Sequence, residues 1–132
     1  MTIMLDTSAY SSLLRTELRV DPFLETATTI AMSPIVVGEL KYGFLRGSRN
    51  EKNLKQLESF LNEKDVIICD IDADTAEIYA QLKLKQHEIG KTVASNDLWI
   101  AASAVQMGAK LITLDSDFRN VMDDNLNFVI LG

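Results

Sequence analysis

Four acidic residues stand where their surroundings favour apolar or turn residues: Asp6, Glu39, Asp97 and Asp115. Asp6 ends the apolar run Ile3-Met4-Leu5, and Asp115 follows Lys110-Leu111-Ile112-Thr113-Leu114. An acid after a strand is equally a turn residue or the cap of the next helix. Glu39 is more pointed, because at helical spacing its neighbours are Ile35, Val36, Tyr42 and Gly43. A carboxylate centred on an apolar face needs a cation, a donor network or a raised pKa; a salt bridge across the core is the alternative. Asp97 heads a stripe of small and apolar residues, Ile100, Ala101, Ala104, Val105 and Gly108. Its place in a first helical turn would also suit the helix dipole. Together the four acids, without histidine or cysteine partners, suit a hard cation, Mg²⁺ or Mn²⁺. Such an ion lowers the pKa of a water and neutralises charge on phosphoryl oxygens. Spacing alone leads to metal-dependent chemistry, on phosphate.

What the chain lacks narrows the alternatives. It has one cysteine, Cys69, and one histidine, His87. Disulfides and cysteine-based zinc sites within one chain are therefore excluded. Cys69 lies in the run Val66-Ile67-Ile68-Cys69 and reads as a small buried hydrophobe. His87, among Lys85, Gln86 and Glu88, reads as a helix-surface residue, and any serine–histidine triad would have to use it.

Short apolar runs that alternate with helical patterns must position the acids. Strands are expected at 3–5, 29–32, 66–69, 110–114 and 128–131. Helices are expected at 8–15, 22–26, 34–46, 51–63, 73–89 and from about 95 to just before Gly108. Ser33-Pro34 supplies a cap oxygen and a first-turn proline; Gly47 and Gly90 read as helix stops. Apolar strands separated by helices imply right-handed crossovers and a parallel sheet covered on both faces, an α/β domain of three layers, α/β/α. With 132 residues, 47% of them hydrophobic, one domain over 1–132 can bury a core. In such sheets ligands bind beyond the carboxyl ends of the strands, where Asp6 and Asp115 project.

No stretch approaches the ~20 apolar residues of a membrane span, and the N-terminus lacks the features of a signal peptide. The protein reads as cytoplasmic. A net charge of −6 argues mildly against a polyanionic partner. The argument weakens where acids gather around cations, and where Lys41, Arg46, Arg49, Lys52 and Lys55 cluster. That cluster is also what a solvated helix face looks like.

Four motifs in order carry a resemblance. They are Leu5-Asp6-Thr7-Ser8, Gly38-Glu39-Leu40-Lys41-Tyr42-Gly43, Ser95-Asn96-Asp97-Leu98-Trp99-Ile100-Ala101-Ala102 and Leu111-Ile112-Thr113-Leu114-Asp115-Ser116-Asp117-Phe118. Spread over nearly the whole chain, they resemble the PIN-domain ribonucleases, and the VapC-type toxins of type II toxin–antitoxin pairs in particular. The resemblance implies strand order 3-2-1-4-5, with metal ligation mainly by Asp6 and Asp97 and with Glu39 and Asp115 completing the catalytic pocket. Ser8 and Thr113 would support the pocket through their hydroxyls. Asn96 would support it or cap its helix, and Asp117 would join the site or cap the turn before Phe118. Lys41, Arg46 and Arg49 are candidates for RNA contact. The implied reaction is endonucleolytic cleavage of RNA by metal-activated water. The implied partners are a second copy of the chain and an antitoxin that enters the groove.

Three other readings fit the same residues less well. A haloacid-dehalogenase-like phosphatase needs a second acid two positions after Asp6, where Ser8 stands. A receiver domain needs a lysine after its last strands, whereas Lys110 precedes its strand. A catalytically silent RNA- or protein-binding module on the same fold would have little reason to keep all four acids.

Overall fold

Ile3, Met4 and Leu5 are successive residues of one strand, yet none has exposed surface. Side chains alternate between the two faces of a strand, so both faces of this one are covered. The computed structural model describes residues 1–15, 19–121 and 123–131. Its elements in order are β1 (Thr2–Leu5), α1 (Thr7–Leu14), α2 (Asp21–Thr26), β2 (Thr29–Met32), α3 (Pro34–Arg46), α4 (Asn50–Leu61), β3 (Val66–Ile68), α5 (Ala73–Ile89), α6 (Ser95–Met107), β4 (Lys110–Thr113), a 3-10 turn (Ser116–Asn120) and β5 (Asn127–Ile130). The sheet order is β3-β2-β1-β4-β5, with every pairing parallel. The chain leaves β1 toward one side for β2 and β3, then returns to the other side for β4 and β5. The reversal lies between β1 and β4, where Leu5 pairs with Ile112.

The strand expected at 66–69 forms β3 at the edge of the sheet, where the order 3-2-1-4-5 puts it. Val66 and Cys69 are buried while Ile67 and Ile68 are 41% and 49% exposed. Apolar runs report β-propensity and do not distinguish an edge from a centre. Cys69 does occupy the buried position expected of it, and His87 lies exposed on α5. No described helix is long and apolar enough to cross a membrane.

Local chemistry fixes the helix ends. Ser33 accepts a hydrogen bond from the Ile35 amide ahead of Pro34, and α3 stops at Gly47. Gly47 is extended, however, with φ −94° and ψ 174°, so its stop does not use the left-handed cap that glycine usually supplies. Gly90 and Gly108 do use it, with φ of 68° and 62°. An L side chain at either would be strained, because its Cβ crowds the following carbonyl.

The antiparallel pair α5 and α6 is locked near both ends. Asp72 and Thr75 form a reciprocal capping box, and Gln106 of α6 donates 2.9 Å to Asp72 Oδ1 while accepting from Thr75. Farther along, Tyr79 stacks on Trp99 with ring centroids 4.0 Å apart and planes within 7°. This fixes the register of α6, and therefore the place of Asp97 in its first turn.

Candidate active site

Asp6 leaves β1 with extended backbone and caps α1. Its Oδ1 accepts from the Ala9 amide at 2.8 Å and from the Ser8 hydroxyl at 2.7 Å; Oδ2 accepts from Thr113. Both hydroxyls are themselves fixed from β4. The Leu114 amide donates to Ser8 Oγ and the Asp115 amide to Thr113 Oγ1, each at 2.9 Å. Asp6 is 4% exposed and Thr113 is fully buried. Burial raises the Asp6 pKa above the usual carboxylate value, against the hydrogen bonds from Thr113, Ala9 and Ser8, with the Asp115 charge adding to the rise.

A single methyl-for-hydroxyl exchange tests this seam. Thr113→Val keeps the volume but leaves Asp6 Oδ2 and the Asp115 amide without their partner. It should cost about 1–3 kcal/mol, since buried polar groups are left unpaired. The readout is a lower urea midpoint at unchanged m-value, and Asp6 should titrate still higher.

Glu39 sits differently from the helix-face reading. The buried line of α3 is Val36, Leu40 and Phe44, whereas Tyr42 and Gly43 face outward. Glu39 lies at the margin of that line, half-buried, and is held by two donors. Thr7 Oγ1 donates to Oε1 at 2.7 Å and Asn96 Nδ2 to Oε2 at 3.4 Å. The expected donor network is therefore present, but the centred apolar face is not. Asn96 does not cap α6; Ala94 holds that position without a side-chain bond.

Asp97 points inward as its stripe implies, with Ile100, Ala101 and Ala104 buried along the same helix. Burial, then the charges of Asp115, Glu39, Asp6 and Asp117, push its pKa up to about 6. Asp115 both lines the pocket and caps the 3-10 turn by accepting from the Asp117 amide at 2.9 Å. The Asp117 side chain is exposed and outside the pocket lining, and it acts on Asp97 only through its charge.

A pocket of about 540 Å³ brings Asp6, Glu39, Asp97 and Asp115 together with Ser8 and Asn96. Thr7 also lines it, although neither its type nor its spacing singles it out. The signal was available only inside Leu5-Asp6-Thr7-Ser8, because its partner Glu39 is 32 positions away. Lys41, Arg46 and Arg49 are exposed and do not line the pocket; Arg46 lies 5.6 Å from the ring centre of Tyr42.

Among the described residues no three His, Cys, Asp or Glu side chains form a ready-made ligand cage. The donor set is nevertheless all oxygen, wide and strongly self-repelling. Those properties fit Mg²⁺, which keeps several waters and takes one or two carboxylates rather than a closed protein shell. They do not fit zinc, which prefers nitrogen and sulfur ligands in a tight tetrahedron.

Comparison with known proteins agrees with this geometry. Residues 3–123 match the PIN domain family. Ribonuclease VapC2 of Rickettsia felis is 35% identical over 85 residues, 64% of this chain but only 62% of that relative's length. Ribonuclease VapC4 of Mycobacterium tuberculosis is 30% identical over 118 residues, 89% of each chain. The crystal structure of VapBC2 from Rickettsia felis, bound to a DNA fragment from the promoter, superposes with a TM-score of 0.84 at 27% identity, covering both chains completely. With the sheet order, the acidic pocket and these matches in agreement, the chain belongs to the PIN-domain family, in its VapC branch.

Proposed function

We propose that this protein is a Mg²⁺- or Mn²⁺-dependent endoribonuclease, the toxin of a type II toxin–antitoxin pair, which hydrolyses RNA phosphodiesters. The observation that carries the reading is the convergence of four carboxylates on one pocket, where burial and then the charges of the others push the Asp97 pKa up to about 6. Folding imposes that repulsion, and it makes sense for a site that receives positive charge. Asp6 and Asp97 would hold the cation, with Glu39 and Asp115 completing the acidic wall. The chemistry such a cation supplies is a lowered water pKa and neutralised charge on the phosphoryl oxygens.

The chain's own groups position these acids. Ser8, Thr113 and the Ala9 amide fix both oxygens of Asp6. Thr7 and Asn96 orient Glu39, which leaves its charge facing the pocket. The single nuclease unit over 1–132, a homodimeric assembly and action in the cytoplasm belong to the same reading. So does an antitoxin partner, supported by the VapBC complex that this chain resembles. Basic side chains of that partner would neutralise the pocket as the cation does.

The test is cleavage of total cellular RNA by the purified protein. Cleavage is expected with Mg²⁺ or Mn²⁺, and it should vanish with EDTA and return when the metal is restored in excess. Cleavage that persists in EDTA would refute the metal-dependent reading.

A further inference from the structure

A second pocket, of about 300 Å³, opens where α5 ends and α6 begins. Lys83, His87 and Lys91 line it above the buried Leu98. Among the described residues that line it there is no Asp or Glu, whereas the acidic pocket holds four. Ser95 lines both, so the basic pocket adjoins the acidic one at the start of α6. The depression lined by Arg49 and Lys52 has no lining residue in common with the acidic pocket.

Of the basic groups, Lys83 is held through its side chain and Lys91 through its backbone. Lys83 Nζ donates to the Tyr79 hydroxyl at 3.3 Å and lies 5.6 Å from the ring centre. Tyr79 is held by its stack on Trp99. Lys91 follows the left-handed Gly90, and its backbone bonds twice to Gln86: Lys91 N donates to the Gln86 carbonyl at 3.2 Å, and Gln86 Nε2 donates to Lys91 O at 3.4 Å. The α6 N-terminus beside them lacks a side-chain cap, which leaves the positive end of its dipole facing this region.

A strand of nucleic acid presented to the acidic pocket meets repulsion everywhere except at the phosphate neutralised there. Its neighbouring phosphates need cations of their own, and phosphate contacts supply most sequence-independent affinity. We propose that the pocket at the α5–α6 junction is a subsite for an RNA phosphate flanking the scissile bond, with Lys83 and Lys91 as its binding residues and His87 at its rim. The proposal rests on the nuclease reading above.

The experiment measures binding of a fluorescein-labelled, random-sequence single-stranded RNA pool in Ca²⁺ over a range of KCl. Lys83→Gln/Lys91→Gln should weaken binding about tenfold and flatten the log–log salt slope by about 1.4, at about 0.7 per lost single-strand contact. Lys83→Arg/Lys91→Arg should keep near wild-type binding, because the charge is retained. Lys64→Gln/Lys110→Gln, which removes the same charge where β3 and β4 begin, at the sheet edge away from both pockets, should change affinity less than about twofold. Wild-type affinity and slope in the first variant, or an equal loss in the last, would overturn the subsite. If the glutamine pair fails to fold, the two single variants, each with about half the slope change, decide the matter in its place. A wild-type protein that cuts RNA while the glutamine pair binds normally loses only the subsite. One that neither binds the pool nor cuts RNA with Mn²⁺ loses the nuclease reading, and the subsite with it.

Discussion

Asp97→Asn and Asp6→Asn should each reduce RNA cleavage in Mg²⁺ or Mn²⁺ by about a hundred- to a thousandfold. Charge stabilisation by a bound cation is worth several kcal/mol, and each factor of ten in rate takes about 1.4 kcal/mol. The two variants should differ in stability, which separates them from general damage. Folding raises the Asp97 pKa from 3.8 to about 6. The folded state therefore keeps a proton that the unfolded chain has released. Its stabilising effect is complete below pH 4 and is lost as pH rises through about 6. Asp97→Asn removes the repulsion, so without metal it should be more stable than wild type at pH 7.5 and equal to it near pH 4. Solvent screens this half-exposed side chain, so the gain is on the order of 1 kcal/mol, or about 3 °C in Tm. Asp6→Asn loses the acceptor for Thr113 and should cost about 1 kcal/mol. Thermal melts at both pH values, run beside the cleavage assay, check the pair. Unchanged cleavage in both variants would refute the assigned ligands.

Phe118→Ala should have the largest effect on stability. Phe118 has no exposed surface, and truncating a buried phenylalanine costs about 3–5 kcal/mol. A domain of this kind commonly has about 5–15 kcal/mol in total. The residue also anchors the 3-10 turn that carries Asp117 and is capped by Asp115. Cleavage should therefore fall under conditions where the variant is still folded, and the Asp97 pKa should move down from about 6 as two nearby charges lose their positions, while burial keeps it raised. Urea denaturation measures the first effect and NMR titration of Asp97 the second. A loss below about 1 kcal/mol would show that the turn does not depend on its apolar anchor.

Periodicity located nearly all of the elements, because the central strands carry apolar residues on both faces and the helices carry clear end signals. Ser33-Pro34, Gly90 and Gly108 each set a boundary through chemistry local to a few residues. Periodicity was weaker where tertiary context decides. It does not tell an edge strand from a central one, so the exposure of Ile67 and Ile68 was not legible. It also placed Glu39 on an apolar face whose Tyr42 and Gly43 turn out to face outward. The acids themselves were legible singly, as charges at strand ends or on helix stripes. Of the groups that hold them, Ser8, Thr113 and Asn96 were indicated by family likeness alone and Thr7 by nothing separate, since Thr7 meets Glu39 and Thr113 meets Asp6 only after the sheet has closed. Strand order came from family likeness, because crossover rules fix the handedness of each connection but not the side of the sheet to which the chain returns.

The reversal between β1 and β4 also sets when this pocket can exist. Asp6 emerges first from the ribosome, yet the hydroxyl that holds its Oδ2 lies 107 residues later. Until β4 is made, β1 has an unpaired edge on that side, and Asp6, Glu39 and Asp97 lack both Thr113 and Asp115. Contacts of such sequence separation form late, because a long loop must close before they are made. Under the proposed function, the site that would attack RNA is thus absent from the nascent chain until β4 has been made and paired.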